Sequence, residues 1–269
     1  MRRLQLFEIE DQWWCPSAVR DAATDYLGFV QRLSHPYGSV APRLLHALER
    51  VGTRKVLDLG SGGGGPWPRL VLDLADANYR VHVRLTDRFP NAAALARVRR
   101  DSEGILDVHP RPVDARQVPP ELDGFCTLFS TFHHLRSEDA RAVLRNAMET
   151  RRGIGVFEAT HRSPGAILAM TVQPLFVLVL TPFIRPFRWS RLLLTYLVPV
   201  VPAVVLFDGV VSSLRTYTST ELQELTAEIG NEGYVWEMGE LAVRRSPIPI
   251  TYLIGYPVTR GLQGDIATS

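Results

Sequence analysis

The sequence predicts an α/β fold, a parallel sheet with helices covering it. Three observations carry that prediction. From Lys55 onward short apolar runs alternate with helical segments, a run of glycines directly follows the first apolar run, and carboxylates recur where strands are expected to end. With 269 residues, 46% apolar and 22% charged, the chain is long enough for one large domain or two small ones, which excludes a disordered, collagen-like or disulfide-stapled protein.

Taken in order, Ser17 is placed to cap a helix whose apolar positions Val19, Ala22, Ala23, Tyr26, Leu27, Val30 and Leu33 recur at helical spacing. Ser39 is placed to start a second helix, which Gly52 stops. Residues 1–54 therefore form an N-terminal helical cap. Strands are expected over 56–59, 81–85, 126–130 and 154–157, with crossover helices over 68–77, 91–100 and 137–150. The last of these carries Glu138 and Asp139 in its first turn, where the helix dipole favours acids. These elements make 55–160 the core. From 218 the chain returns to that core: Thr218 and Glu221 have capping-box spacing, Gly230 can end the helix, and 234–240 and 251–256 read as a closing pair of strands over 218–269. Between them, 161–217 is much longer than the dozen or so residues that a crossover needs. It contains two uncharged stretches, 164–184 and 192–207, and reads as an apolar helical insertion.

The chemistry gathers at the first turn. Val56, Leu57, Asp58 and Leu59 lead into Gly60, Ser61 and a further run of glycines, so a ligand can approach the backbone closely and positive φ is permitted. The run fits G-x-G-x-x-G through Gly60, Gly62 and Gly65, and G-x-G-x-G through Gly60, Gly62 and Gly64. By themselves the glycines leave a dinucleotide and an adenosyl cofactor both open. Asp58 separates them. A carboxylate just before the first glycine repels a pyrophosphate but suits a ligand that carries an ammonium and a sulfonium, which favours S-adenosylmethionine. Asp87, about twenty residues past the glycines, ends the second strand, where it can accept from both ribose hydroxyls. Asp114 falls where the third strand should end and can accept from an adenine amino group.

With these residues in place, the chain resembles the class I S-adenosylmethionine-dependent methyltransferases. The likeness is carried by 56–64, by Asp87 and Asp114, and by 126–135, which ends in Ser130, Thr131, Phe132, His133, His134 and Leu135. It covers about 55–160 and resumes at 218, leaving the insertion unmatched. The resemblance implies a Rossmann-like sheet of seven strands with the last antiparallel, and S-adenosylmethionine lying across the carboxyl ends of the early strands. Its cofactor set would be Asp58, Gly60, Ser61, Gly62, Gly64, Asp87, Asp114, Ala115 and Ser130. The unbroken glycine run and the Pro66, Trp67, Pro68 behind it depart from the family's pattern, so contact at Gly64 or at Gly65 stays open.

Methyl transfer from a sulfonium is an in-line displacement that mainly demands alignment and exclusion of water. For a hydroxyl or an acidic carbon a general base helps. His133 and His134, after the fourth strand, and Glu158, ending the fifth, are the candidates, each with a structural hydrogen-bonding role as its alternative. Arg215 and Tyr217, on the return from the insertion, either orient an acceptor or make an interdomain contact. Cys15 and Cys126 stand far apart without histidines at ligand spacing, so neither a disulfide nor a metal centre is expected. The formal charge of +2 is built almost wholly from arginine, with Lys55 the only lysine, and nucleic acid is not an expected partner.

In the insertion, 164–184 has the length of a membrane span while 192–207 falls short, and Pro174, Pro182, Pro199 and Pro202 interrupt both. Arg185, Arg188 and Arg191 in the connector, beside Trp189, disfavour a hairpin that crosses completely. A lid or a contact in a homodimer, a shallow dip into one leaflet and, last, a true span are the readings, and each implies a hydrophobic acceptor. Glu8, Glu10 and Asp11 break any leader-like run at the start, so a cytoplasmic protein is expected, with peripheral membrane contact through 164–207. The expected activity is methylation of an oxygen or carbon on a lipid or natural-product intermediate. An NAD(P)-dependent oxidoreductase and a non-catalytic membrane-docking protein with a vestigial nucleotide fold are the competing readings.

Overall fold

The computed structural model describes residues 1–89, 98–100, 102, 104–230, 233–244 and 246–258. Its strands are β1 (Lys55–Leu59), β2 (His82–Thr86), β3 (Leu106–Val108), β4 (Phe125–Phe129), β5 (Ile154–Glu158), β6 (Tyr234–Leu241) and β7 (Ile250–Pro257). They form one 7-stranded sheet in the order β3-β2-β1-β4-β5-β7-β6. The first five strands run parallel, and β7 lies antiparallel between β5 and β6, as the resemblance implies. Leu59 pairs with Thr86 and Phe129 with Phe157, so β1, β2, β4 and β5 all release their chains at one carboxyl edge.

Central parallel strands are covered on both faces, and β4 and β5 are accordingly buried at every residue. Successive side chains alternate between the faces. Val56, Phe125 and Phe157 meet Leu44 and Leu48 of α2 (Ala41–Val51) and Trp67 and Leu70 of α3 (Trp67–Asp76). Leu57, Cys126, Leu128 and Val156 meet Val143 and Leu144 of α4 (Ser137–Glu149) and Leu222 and Leu225 of the helix Ser219–Ile229. Burial of each such side chain is worth about 1.5–3 kcal/mol.

Some of the expected helix signals operate and others do not. Gly52, in the left-handed region at φ 70, ends α2, and the Thr218 and Glu221 capping box forms. By contrast, α1 (Ser17–Ser34) starts behind Pro16 with no side-chain cap, because the proline ring already presets the entry dihedral. Ser39 lies inside a 3-10 turn, Pro36–Val40, and donates its hydroxyl to Pro36 O at 3.2 Å, so α2 begins at Ala41. β3 ends at Val108, well before Asp114, since Pro110 and Pro112 cannot donate to a ladder. The helix expected over 91–100 lies outside the described residues except for 98–100.

The insertion is helical: α5 (Pro164–Met170), α6 (Gln173–Leu180), the short α7 (Trp189–Leu192) and α8 (Val200–Arg215), after which Ser219–Ile229 is α9. It shares a third core with α1, in which Val19, Ala22, Ala23 and Tyr26 pack on Val177, Ile184, Val201 and Val204. Polar ties fix the same contact: Tyr26 Oη donates to Gln173 Oε1 at 2.7 Å, and Arg191 Nη1 to Asp25 Oδ2 at 2.6 Å.

Candidate active site

β1 delivers the chain into Gly60 at the carboxyl edge. Gly60 has φ +72, and a Cβ there would meet Thr131 Cγ2 at 2.6 Å, so both backbone and packing demand glycine. The later glycines differ in their surroundings. A Cβ at Gly64 would strike Val98 Cγ2 at 2.9 Å, whereas nothing lies within 4 Å of a Cβ at Gly62, Gly63 or Gly65. The turn is tight, and the space beside these three glycines is open.

The turn is fastened from beneath. Asp58, 2% exposed, accepts from Ser61 Oγ at 2.6 Å and from Thr127 Oγ1 at 2.7 Å. Ser61 N–H donates to Thr86 O at 2.9 Å, and Thr86 Oγ1 donates to Asp58 O at 2.8 Å. Burial, only partly offset by these hydroxyl donors, pushes the Asp58 carboxyl up to about 6, which leaves it ionised at neutral pH. Asp58 is thus a buried negative charge behind the turn, with both oxygens engaged by the protein.

Asp87, at the tip of β2, reaches the open part of the turn. Its Oδ2 accepts from Gly62 N–H at 2.8 Å and its Oδ1 from Phe89 N–H at 2.8 Å. Asp114 sits in the loop beyond β3, where Arg116 donates to it from Nη2 at 2.6 Å and from Nε at 3.0 Å, and also reaches Asp139 from Nη1 at 2.7 Å. These guanidinium bonds hold the Asp114 carboxyl below its usual range. Val113 N–H donates to Asp87 O at 2.9 Å, which ties the two loops together. Asp87 and Asp114 therefore share one end of the sheet, but only Asp87 touches the glycine turn. Ala115 packs, half-buried, against the α4 and α9 core. Ser130, at φ 44 past β4, pairs its hydroxyl with Tyr37 Oη at 2.7 Å and accepts from Ala159 N–H at 3.2 Å.

Beyond Ser130 the 3-10 turn Phe132–His134 closes onto the tip of β5. Glu158 Oε1 accepts from Phe132 N–H at 2.8 Å, and Oε2 pairs with His133 Nδ1 at 2.5 Å. A residue that sequence reasoning missed completes this half of the edge. Glu8, from the N-terminal segment, lies 3.5 Å from His133 Nε2 and 3.7 Å from His134 Nε2. It accepts from Ser212 Oγ at 2.9 Å and from Arg215 Nη1 at 3.1 Å. Burial opposes a charge on His133, but Glu158 and Glu8 on either side outweigh it and lift the imidazole to about 9. For Glu8, burial is likewise overcome by His133, His134 and Arg215, which bring the carboxyl down to about 2. His133 is therefore an imidazolium at neutral pH, enclosed between carboxylates and 3% exposed. His134 is half-buried and pairs through Nδ1 with Asp11 Oδ2 at 2.9 Å.

Arg215 and Tyr217 are buried clamps on this turn. Arg215 Nη2 donates to His134 O at 3.1 Å, Tyr217 Oη donates to Leu135 O at 2.9 Å, and Arg3 lies over the Tyr217 ring at 3.8 Å while donating to Leu135 O at 2.7 Å. Nothing in the sequence could pair Glu8 with His133, because no periodicity links residues so far apart.

The insertion presents the opposite character. Leu168, Val172, Leu175, Phe176, Val179 and Phe183 recur at helical spacing and are 43% to 69% exposed, while Val177 and Ile184 turn inward. Pro164–Phe183 has 20 residues, the length of a span, and 22% of its most apolar window is buried. Trp189 is 72% exposed near the exposed Arg185, and no acidic residue occurs between Glu158 and Asp208.

No protein-family model matches the sequence, and no curated protein matches it. Solved structures do match. The plantazolicin methyltransferase BpumL, in complex with SAH, superposes with a TM-score of 0.58 at 9% identity over 93% of this chain and 94% of that one. An O-methyltransferase from neocarzinostatin biosynthesis, in complex with S-adenosylmethionine and 2-hydroxy-5-methyl naphthoic acid, gives 0.52 at 19% identity over 90% of this chain. An O-methyltransferase family protein from Burkholderia thailandensis gives 0.50 at 15% identity over 85%. The chain has the class I methyltransferase fold. It spans 58% and 57% of the length of the last two proteins. Within this methyltransferase fold, the open glycines and Asp87 stand at the carboxyl edge of β1 and β2, where the sequence resemblance puts the cofactor.

Proposed function

We propose that the protein is an S-adenosylmethionine-dependent methyltransferase that acts on an oxygen or carbon of a hydrophobic small molecule, a lipid or natural-product intermediate. The observation that carries this reading is the open cradle over Gly62, Gly63 and Gly65 with Asp87 at its rim. The residues present fit the cofactor. Each Asp87 oxygen accepts one backbone N–H and keeps lone-pair capacity for ribose hydroxyls, and the buried charge of Asp58 behind the turn favours a cationic ligand over a diphosphate. When bound, S-adenosylmethionine supplies an activated methyl on its sulfonium. The chain's part is to align the acceptor with that methyl and to exclude water. His133, locked to Glu158, serves as a positioning residue for the turn after β4. His134, the more open histidine, pairs through Nδ1 with Asp11 and faces Glu8 through Nε2, so both histidines position this turn and methyl transfer rests on alignment. Two structural neighbours that are O-methyltransferases, one holding a naphthoic acid, support an aromatic or otherwise apolar acceptor. Calorimetry with S-adenosylhomocysteine and with NADH tests the reading. Binding of the first alone is expected, and binding of NADH alone would overturn it in favour of an oxidoreductase.

The insertion, in the same proposal, seats the enzyme on an anionic bilayer surface. The stripe from Leu168 to Phe183 would enter the headgroup boundary, with Trp189 and Arg185 among the headgroups. The exposure of that stripe and the lack of any acid between Glu158 and Asp208 support it. Co-sedimentation should show binding to anionic vesicles that is lost in Leu175→Ser/Phe176→Ser/Val179→Ser. Self-association in solution without vesicle binding would make the same face a dimer contact.

A further inference from the structure

We infer that Glu8, His133 and His134 form a site for one divalent first-row transition ion, at the seam between the N-terminal segment and the carboxyl edge of β4 and β5. The ligand atoms of these three residues all lie within 4.8 Å of one another. Each imidazole is oriented by a carboxylate on its Nδ1, His133 by Glu158 at 2.5 Å and His134 by Asp11 at 2.9 Å. That leaves both Nε2 atoms aimed at Glu8, and a carboxylate on one ring nitrogen with the other free is the outer-shell arrangement of metal-binding histidines. His133 Nε2 is buried and has no hydrogen-bond partner. It stands 3.5 Å from Glu8 Oε1, and His134 Nε2 stands 3.7 Å from Glu8 Oε2. These gaps are too long for good hydrogen bonds. They are close to the spacing of roughly 3.3 Å between neighbouring ligands on a tetrahedral ion with bonds of about 2.0–2.1 Å.

Charge points the same way. The charged side chains in contact with this trio are the carboxylates Glu158 and Asp11 and the guanidinium Arg215, which is 3.1 Å from Glu8 Oε1. Binding of the ion displaces the proton from His133 Nε2 to solvent, and with both imidazoles neutral the trio and these contacts carry an excess negative charge equal in size to that of a dication. Ser212 and Arg215 hold Glu8 through Oε1 and leave Oε2 for the ion. Two imidazoles and one carboxylate suit zinc-class ions and do not suit magnesium or calcium. A shallow groove of about 480 Å³, lined in part by Gln5, Asp11, Gln12, His134 and Arg215, lies on the solvent side of the trio. Local spacing of histidine and cysteine predicts no metal, because Glu8 and the histidine pair are remote in sequence.

This inference stands apart from the methyl-transfer proposal, because its test reads ion binding alone. The full chain, stripped with EDTA, is titrated calorimetrically with Zn²⁺ and with Mg²⁺, and Co²⁺ is followed by its visible absorption. One Zn²⁺ per chain, a Co²⁺ band and no Mg²⁺ binding are expected. Glu8→Gln and His134→Gln should weaken Zn²⁺ at least tenfold, and Asp11→Asn, which alters the support of His134 and a longer 3.8 Å contact with Arg215, about 10–100-fold. Thermal melting followed by circular dichroism checks that each variant is folded, and Asp11→Asn, on the exposed side, is the variant least able to disturb the fold. Absence of saturable Zn²⁺ binding by the wild-type chain, or binding that His134→Gln and Asp11→Asn leave unchanged, would overturn the inference.

Discussion

The two halves of the carboxyl edge are built on opposite principles. At β1 and β2 the protein removes matter: glycines clear the space above the turn, and Asp87 at the rim is held by backbone N–H groups. At β4 and β5 it adds matter: Glu158, His133, Glu8 and Arg215 interlock out of solvent, with the N-terminal segment drawn across them. Loss of a side chain should therefore act mainly on ligand affinity in the first half and mainly on stability in the second.

The largest effect is expected in the closed half. Arg215→Met leaves Glu8 without its guanidinium in a buried setting, and breaking a buried pair from one side costs about 3–5 kcal/mol. Urea denaturation should register that loss, and a change below about 1 kcal/mol would mean that this half is not a closed network.

Next is Gly60→Ala. Left-handed strain and the contact with Thr131 together should destabilise the protein by about 2–4 kcal/mol.

A pH effect of similar or smaller size belongs to Asp58. Its pKa rises from 3.8 to about 6 on folding, so the native state takes up a proton, and the contribution of Asp58 to stability falls as pH rises from about 4 to about 6. Two units amount to about 3 kcal/mol at most. The stability of wild type relative to Asp58→Asn should decline through that window and level off above it, and a flat difference would place the carboxyl in a more polar setting.

Gly63→Ala sharpens the comparison most. Its Cβ meets nothing within 4 Å and its φ is unremarkable for an L residue, so stability should move by less than about 0.5 kcal/mol while binding of S-adenosylhomocysteine weakens at least tenfold.

This contrast also explains what could be read in the sequence. The open half is local: a strand, a glycine run and an acid about twenty residues on announce themselves through apolar runs and turn chemistry. The same locality made β1, β4, β5 and the capping box at Thr218 readable. β3 ends short of Asp114 because prolines follow it, and the Asp114 carboxylate is engaged by Arg116, a side chain whose direction no pattern reveals. The closed half was hidden for another reason. Glu8 looked like an interruption of an apolar start, and its meaning lies in contacts with His133, Ser212 and Arg215 that only the fold creates. The insertion was visible as apolar sequence, but its packing of one face on α1 and exposure of the other came from the third core.

The central claim is that the cradle above the glycines takes a cationic nucleoside whose ribose is held at the tip of β2. Calorimetric titration of Asp87→Ala beside Asp114→Ala with S-adenosylhomocysteine tests it most directly. A lost charge-assisted hydrogen bond is worth about 1.5–3 kcal/mol, so Asp87→Ala should bind about 10–100-fold more weakly than wild type, with Asp114→Ala much less affected. Full retention of affinity in Asp87→Ala would contradict the account.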